Sequence, residues 1–217
     1  MKRLIIIAGP SAGGKTTVAE ELLSKRKELS LIRSVTTRAK RGDGKDGEYI
    51  YLDREEFLLA LERGDILEYM EYAGELYGTP RSELERVLKE GRVPLLILDL
   101  KGVLSIRKFK EYSPTVIYIH TDLDLCEERL YARYLGTPSA KGLKSFTDRK
   151  ERNISDYLEL PKMADAFDFF LENSGTVEQA AELLSRIIDG AVAPDCAEQR
   201  LKTAEMLASS AMVKNQK

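Results

Sequence analysis

The chain has 217 residues with 43% hydrophobic content, enough to bury a sizeable core in one large domain with excursions. Lys+Arg 34 against Asp+Glu 36 leaves a net charge of -2, which argues against a general nucleic-acid-binding or membrane-binding surface, so any basic cluster is local. The two cysteines, Cys126 and Cys196, lie far apart without metal-ligand spacing, and no apolar run approaches the ~18 residues of a membrane span. A reduced, cytoplasmic protein with neither a zinc site nor a disulfide framework is expected.

In chain order, short apolar runs rich in β-branched residues alternate with segments of helical period. "RLIIIA" is followed by "TVAEELLSKRK", then "REEFLLALERG", "RSELERVLKEG", "PLLILDL", "TVIYIH", "DLCEERLYARY", "FDFFLEN" and "TVEQAAELLSRIID". Fully apolar strands imply burial on both faces, hence an α/β fold with a parallel sheet flanked by helices. Residues 34–80 interrupt this pattern with the strands "EYIYL" and "ILEYMEYAG" and Gly-rich turns, which predicts a small mixed-sheet subdomain. Residues 129–162 are densely charged and predict an exposed helical lid. After Gly190, Asp195 and Glu198 have capping-box spacing, and Leu201, Ala204, Leu207, Ala208 and Ala211 mark one helical face, so the tail is a docked helix or a frayed end.

The most specific chemical signal is "GPSAGGKT", from Gly9 to Thr16, set between a strand and a helix. In that context backbone N–H groups of the loop and the helix N-terminus surround phosphates, Lys15 reaches the β/γ oxygens, and the Thr16 hydroxyl is offered to Mg²⁺. The donor-binding set is Gly9, Pro10, Ser11, Ala12, Gly13, Gly14, Lys15, Thr16 and Thr17. An ordinary glycine turn would have no need of Lys15. "PLLILDL" ends with Asp99, a strand-end carboxylate of the type that holds Mg²⁺ directly or through water, although such a residue is more often a helix cap.

The stretch "RSVTTRAKRG" places Arg33, Arg38, Lys40 and Arg41 with hydroxyls and no acid until Asp43. A solvated charge run more often sits on a helix beside acidic partners. Arginine at 38 and 41 favours bidentate capture of a second phosphate, that of an acceptor. Downstream, Glu68 can accept the paired N1–H and 2-amino donors of guanine, while Thr79 donates to O6.

Together, "GPSAGGKT", "SVTTRAKRG" with "GEYIY", "ILEYMEYAGELYGTP", "LLILDLKGV", "ERLYAR" and "FDFFLEN" resemble the guanylate kinase family of P-loop nucleoside monophosphate kinases, over about residues 3–189. The resemblance implies a core (1–33, 81–128 and 163–189), an acceptor-binding subdomain (34–80), a lid (129–162) and an extension (190–217). It implies phosphoryl transfer from MgATP to GMP or dGMP, with no nucleic-acid or membrane partner, by a monomer or homodimer. It further implies that Ser34, Arg38, Arg41, Tyr49 and Tyr77 hold the GMP phosphate, that Glu68, Thr79 and Asp99 read guanine, and that Arg133 with Arg149 or Arg152 bridges the phosphates. Lys15, Arg38, Arg41, Arg133, Arg149 and Arg152 form the catalytic set; Thr16 and Asp99 form the metal set.

The chain departs from the family at Ile97, where an acid is usual, at Lys101, where Gln is usual, and in a longer lid. The phosphate of GMP is largely ionised near neutral pH, with a second pKa of ~6, so no general base is required and His120 is read as a strand end. Two alternatives stay open: a P-loop kinase acting on another nucleotide or a sugar phosphate, and a protein-interaction module of the same fold.

Overall fold

Leu4, Ile5, Ile6, Ile7 and Ala8 are all fully buried and form strand β1 (Leu4–Ala8). Each large side chain of such a run contributes about 1.5–3 kcal/mol on burial, which holds the strand at the centre of the fold. The computed structural model describes residues 3–40, 49–72, 74–136 and 139–215, without the side chains of Tyr72 and Lys141. Within these the elements are β1, α1 (Lys15–Lys25), β2 (Leu29–Leu31), β3 (Ser34–Thr36), β4 (Tyr49–Tyr51), α2 (Arg54–Glu62), β5 (Ile66–Tyr72), β6 (Glu75–Pro80) and α3 (Arg81–Lys89). They continue with β7 (Val93–Ile97), α4 (Leu100–Ile106), β8 (Pro114–His120), α5 (Leu123–Leu135), α6 (Ala140–Met163), β9 (Phe169–Glu172), α7 (Val177–Ile188) and α8 (Ala197–Asn215).

One sheet has the order β2-β7-β1-β8-β9 and is parallel, as the apolar runs predict. The second has the order β4-β3-β6-β5 and is mixed: β3 runs parallel to β4 but antiparallel to β6, and β5 antiparallel to β6. The chain divides into two units. The first comprises Met1–Ile5, Arg26–Leu96 and Lys101–Pro114; the second comprises Ile6–Lys25, Ile97–Leu100 and Thr115–Lys217.

In the first unit the mixed sheet has two unlike faces, because side chains alternate along a strand. Val35, Ile66 and Leu76 form a buried core with Phe57 of α2, and Ile50, Leu52, Ala60 and Leu61 pack against it. Helix α2 is fixed in place by a reciprocal capping box between Asp53 and Glu56. Elsewhere in this unit the Glu83 carboxylate is buried and accepts paired hydrogen bonds from Arg33 (3.1 and 2.9 Å) and Arg86 (3.0 and 3.0 Å). These guanidinium donors hold its pKa down at about 2, so its contribution to stability is fully present above the usual carboxylate range and is lost progressively as pH falls from that range to about 2. Arg33, the first cation of the basic stretch, therefore has an internal anion.

In the second unit, α6 departs from the expected exposed lid. It is one helix of 24 residues whose later half carries a buried stripe of Asn153, Tyr157 and Leu160, with Tyr157 donating from its hydroxyl to the Thr121 carbonyl at 2.6 Å. Helical spacing on a charged segment hid this face, because only every third or fourth residue is apolar.

The tail is a docked helix: α8 packs along α6, burying Ala204, Leu207, Ala208 and Ala211, whereas Leu201 is exposed. Asp195 and Glu198 do not form the expected cap. The Asp195 carboxylate accepts from the Phe170 amide at 2.7 Å, while Cys196 N–H donates to Gln199 at 2.9 Å. Among the described residues, no helix is long and apolar enough to cross a membrane.

Candidate active site

The turn from β1 into α1 holds the glycine-rich loop. Gly9 has φ 150° and passes so close to β8 that a Cβ there would lie 2.1 Å from the Ile119 carbonyl oxygen. Gly14 has φ 92°, and a Cβ on it would meet the Asn173 amide at 2.2 Å. Side chains other than hydrogen are excluded at both places. Ala12 also has a left-handed φ of 63°, a conformation uncommon outside glycine.

Five consecutive loop carbonyls have partners. Lys15 Nζ donates to Gly9 O (2.9 Å) and Pro10 O (2.8 Å). Asn153 Nδ2 donates to Ser11 O (2.9 Å), Arg129 to Ala12 O (3.2 Å) and Asn173 Nδ2 to Gly13 O (2.9 Å). The Ser11 amide in turn donates to Asn153 Oδ1 at 2.7 Å. Val18 N–H donates to Gly14 O. The amides of Lys15, Thr16 and Thr17 thus belong to the first helical turn, where N–H groups lack intrahelical acceptors and attract anions. Burial, with Arg152 and Arg149 nearby, lowers the Lys15 ammonium to about 8 despite the opposing influence of Cys126 and Asp156.

The expected lid arginines take different places. Arg149 donates to Ser11 Oγ at 3.4 Å and stacks over Tyr134 at 5.6 Å. Arg152 donates to Asp99 at 2.7 Å and lies 3.7 Å from Asp156. Both therefore lie in the surroundings of Lys15. Arg133 is exposed on the last turn of α5, while Arg129, one turn earlier, touches the loop. Asp99, expected as a metal ligand or base reader, has Arg152 as its counter-ion. Thr16 is exposed at the start of α1.

Arg129, Asn153 and Asn173 were missed as functional candidates. Asn153 had a readable signal, a single amide in a stripe that continues with Tyr157 and Leu160. Asn173 had another, the polar residue closing an apolar strand.

In the first unit, the face of the mixed sheet opposite the apolar core carries the predicted acceptor residues. Register sets Ser34 beside Tyr49, Thr36 beside Tyr51 and Tyr77, and Glu68 beside Thr79. Thr79 Oγ1 donates to Glu68 Oε1 at 2.6 Å, and both residues are buried. Arg38 lies over Tyr49 (5.3 Å) and Tyr51 (6.0 Å), with Tyr77 edge-on to Tyr49 at 6.2 Å. Its Nη2 donates to the Tyr51 hydroxyl at 3.3 Å, whereas its buried Nη1 has no hydrogen-bond partner among the described residues. A buried guanidinium nitrogen without an acceptor is costly unless an anion completes it. Arg41 and Asp43 lie outside the described residues.

Comparisons with known proteins agree with this arrangement. A family model for guanylate kinase matches residues 1–191. The Thermotoga maritima guanylate kinase is 36% identical over 196 residues, covering 86% of this chain and 86% of that protein. The Porphyromonas gingivalis guanylate kinase is 40% identical over 159 residues, covering 71% and 83%. The crystal structure of guanylate kinase from Anaplasma phagocytophilum superimposes with a TM-score of 0.62 at 27% identity, covering 87% of this chain and 85% of that one. A phosphate-binding loop with an intact lysine and a sheet face ending in a buried Glu–Thr pair are thus met by matches over nearly the whole fold, and the chain belongs to the guanylate kinase family, the ATP:GMP phosphotransferases.

Proposed function

We propose that the chain carries out this transfer, from ATP to GMP or dGMP, with the glycine loop as donor site and the polar face of the mixed sheet as acceptor site. The observation that carries the acceptor assignment is Arg38 Nη1, buried beside Tyr49 and Tyr51 without a partner among the described residues. On this reading Ser34, Arg38, Arg41, Tyr49 and Tyr77 hold the GMP phosphate. Glu68, with Thr79 rotated to donate to O6, takes the guanine edge. Residues 34–80 then serve as the acceptor-binding part, 129–162 as the lid and 190–217 as an extension.

Lys15 and the α1 amides hold the β- and γ-phosphates, and Arg149 and Arg152 supply further charge. Arg133 joins them on closure. For Arg152 this means exchanging Asp99 for phosphate. Catalysis is positioning and charge neutralisation, with water excluded as a competing acceptor.

Among the described residues, no three His, Cys, Asp or Glu side chains cluster to hold a metal. The available donors are oxygen atoms of Thr16 and Asp99, a set that suits Mg²⁺ arriving with the nucleotide and retaining phosphate and water ligands. When bound, the ion would be held by Thr16 and Asp99 and would supply charge neutralisation at the phosphates. The partners are small nucleotides, with no nucleic acid or membrane, and the setting is the cytoplasm, as monomer or homodimer.

The test is a steady-state comparison of GMP, dGMP, AMP and IMP in wild type and Glu68→Gln. The amide accepts only one of the two guanine donors, so the GMP:AMP ratio of kcat/KM is expected to drop by about 10² or more. An unchanged ratio removes Glu68 from base recognition.

A further inference from the structure

Asn153 is the one amide in the buried stripe of α6, and both of its polar ends are spent on Ser11 of the donor loop, at 2.7 and 2.9 Å. An amide meeting both groups of a single residue fixes the plane of the backbone there, and with it the direction of the amides that follow. One turn before it, Lys150 donates to Glu127 of α5 at 2.6 Å. Glu127 is also 3.5 Å from Lys214, near the end of α8, and Lys214 bonds in addition to Asp124 of α5. Lys214, Glu127, Lys150 and Asn153 line one small cavity together with Leu123 and Ile154. The part of α8 that makes these contacts lies beyond residue 191, where the match to the family model ends.

We infer that Asn153 is a positioning residue of the donor site and that α8 sets its place, acting as a brace whose ionic end at Lys214 ties α5 to α6. The buried Ala204, Leu207, Ala208 and Ala211 hold α8 along α6. The Lys214 ammonium then fixes how α5 and α6 meet, and α6 delivers Asn153 to Ser11. Burial gives Asn153 its leverage, since a buried mismatch against a backbone carbonyl cannot be relieved by water. Lys214 has less, because its carboxylate partners are partly to largely solvent-exposed. The inference rests on the glycine loop being the ATP site.

The experiment uses full-length Asn153→Asp, Lys214→Glu and the double variant, each checked for cooperative unfolding, with KM and kcat measured separately for ATP and GMP. Asn153→Asp keeps the acceptor for the Ser11 amide but sets an oxygen against Ser11 O. It is expected to raise KM for ATP by about tenfold while KM for GMP stays within about twofold. Lys214→Glu places a third anion beside Asp124 and Glu127 and is expected to raise KM for ATP about threefold, again sparing GMP. In the double variant the two effects are expected to combine to less than their product, because both act through the seat of Asn153. Wild-type KM for ATP in either single variant, equal losses for both nucleotides, or multiplied effects in the double overturns the inference. If Asn153→Asp does not fold, Lys214→Glu decides alone. Failure of the wild type to phosphorylate GMP from ATP would instead overturn the assignment of the site itself.

Discussion

In the glycine loop, proposed above as the donor site, the groups offered to a phosphate are mainly backbone amides, and the carbonyls from Gly9 to Gly13 are occupied by Lys15, Asn153, Arg129 and Asn173. In the mixed sheet, proposed as the acceptor site, the groups offered belong to side chains, and these already have partners within the protein: Glu68 is paired with Thr79, and Arg38 with the Tyr51 hydroxyl. The backbone of the glycine loop is therefore held in place by the protein itself, although Arg152 beside it is paired with Asp99. On the proposed reading, the sheet face exchanges such internal hydrogen bonds for those of its ligand. A triphosphate group is common to every nucleoside triphosphate, and fixed N–H groups suffice to hold it. A base must be told from its rivals, and only side chains that would be left mismatched by the wrong one can do that.

The largest effect expected from this contrast is at Lys15. Lys15→Ala removes the cation that the proposed mechanism directs at the transferred group, and turnover is expected to fall by about 10³-fold or more with the fold intact. Single-turnover rates on a variant with wild-type thermal unfolding check this. Near-normal turnover would mean that the loop amides alone organise the donor.

A smaller and one-sided effect is expected for Arg38→Lys. A point charge cannot reproduce a planar fork that already stacks on two tyrosines, so GMP affinity is expected to drop by about 10–100-fold while ATP affinity changes little. Calorimetry with each nucleotide separates the two, and equal losses would take Arg38 out of the acceptor site.

The smallest effect is in pH dependence. The Lys15 ammonium is lowered to about 8 by burial, so in the free protein it loses its proton as pH rises through about 8. Phosphate favours the charged form, so ATP affinity is expected to weaken by up to about tenfold per pH unit above that point, with proton uptake on binding. GMP affinity is expected to stay flat over the same range, because the GMP phosphate is already ionised. Titrations from pH 7 to 9.5 in buffers of different ionisation heat measure both.

Much of this was legible in the sequence because it is local. The run "LIIIA" entering "GPSAGGKT" sets strand, turn and helix start through neighbouring residues alone. Glu68 and Thr79 could be named from residue type, although their 2.6 Å pairing depends on the register of β5 against β6. Arg33 shows the limit. It reads as one more cation awaiting a phosphate, but Glu83, fifty positions away, already holds it.

The sequence by itself thus determined the α/β order, the phosphate loop and the chemical type of the acceptor groups, since hydrophobic period and motif spacing act over a few residues. Only the tertiary structure decided which polar side chains meet the glycine loop. Asn153, Asn173 and Arg129 come to the loop from 117 to 160 positions along the chain. A hydrogen bond is specified by where two atoms are delivered in space, and packing of α5, α6 and β9 performs that delivery.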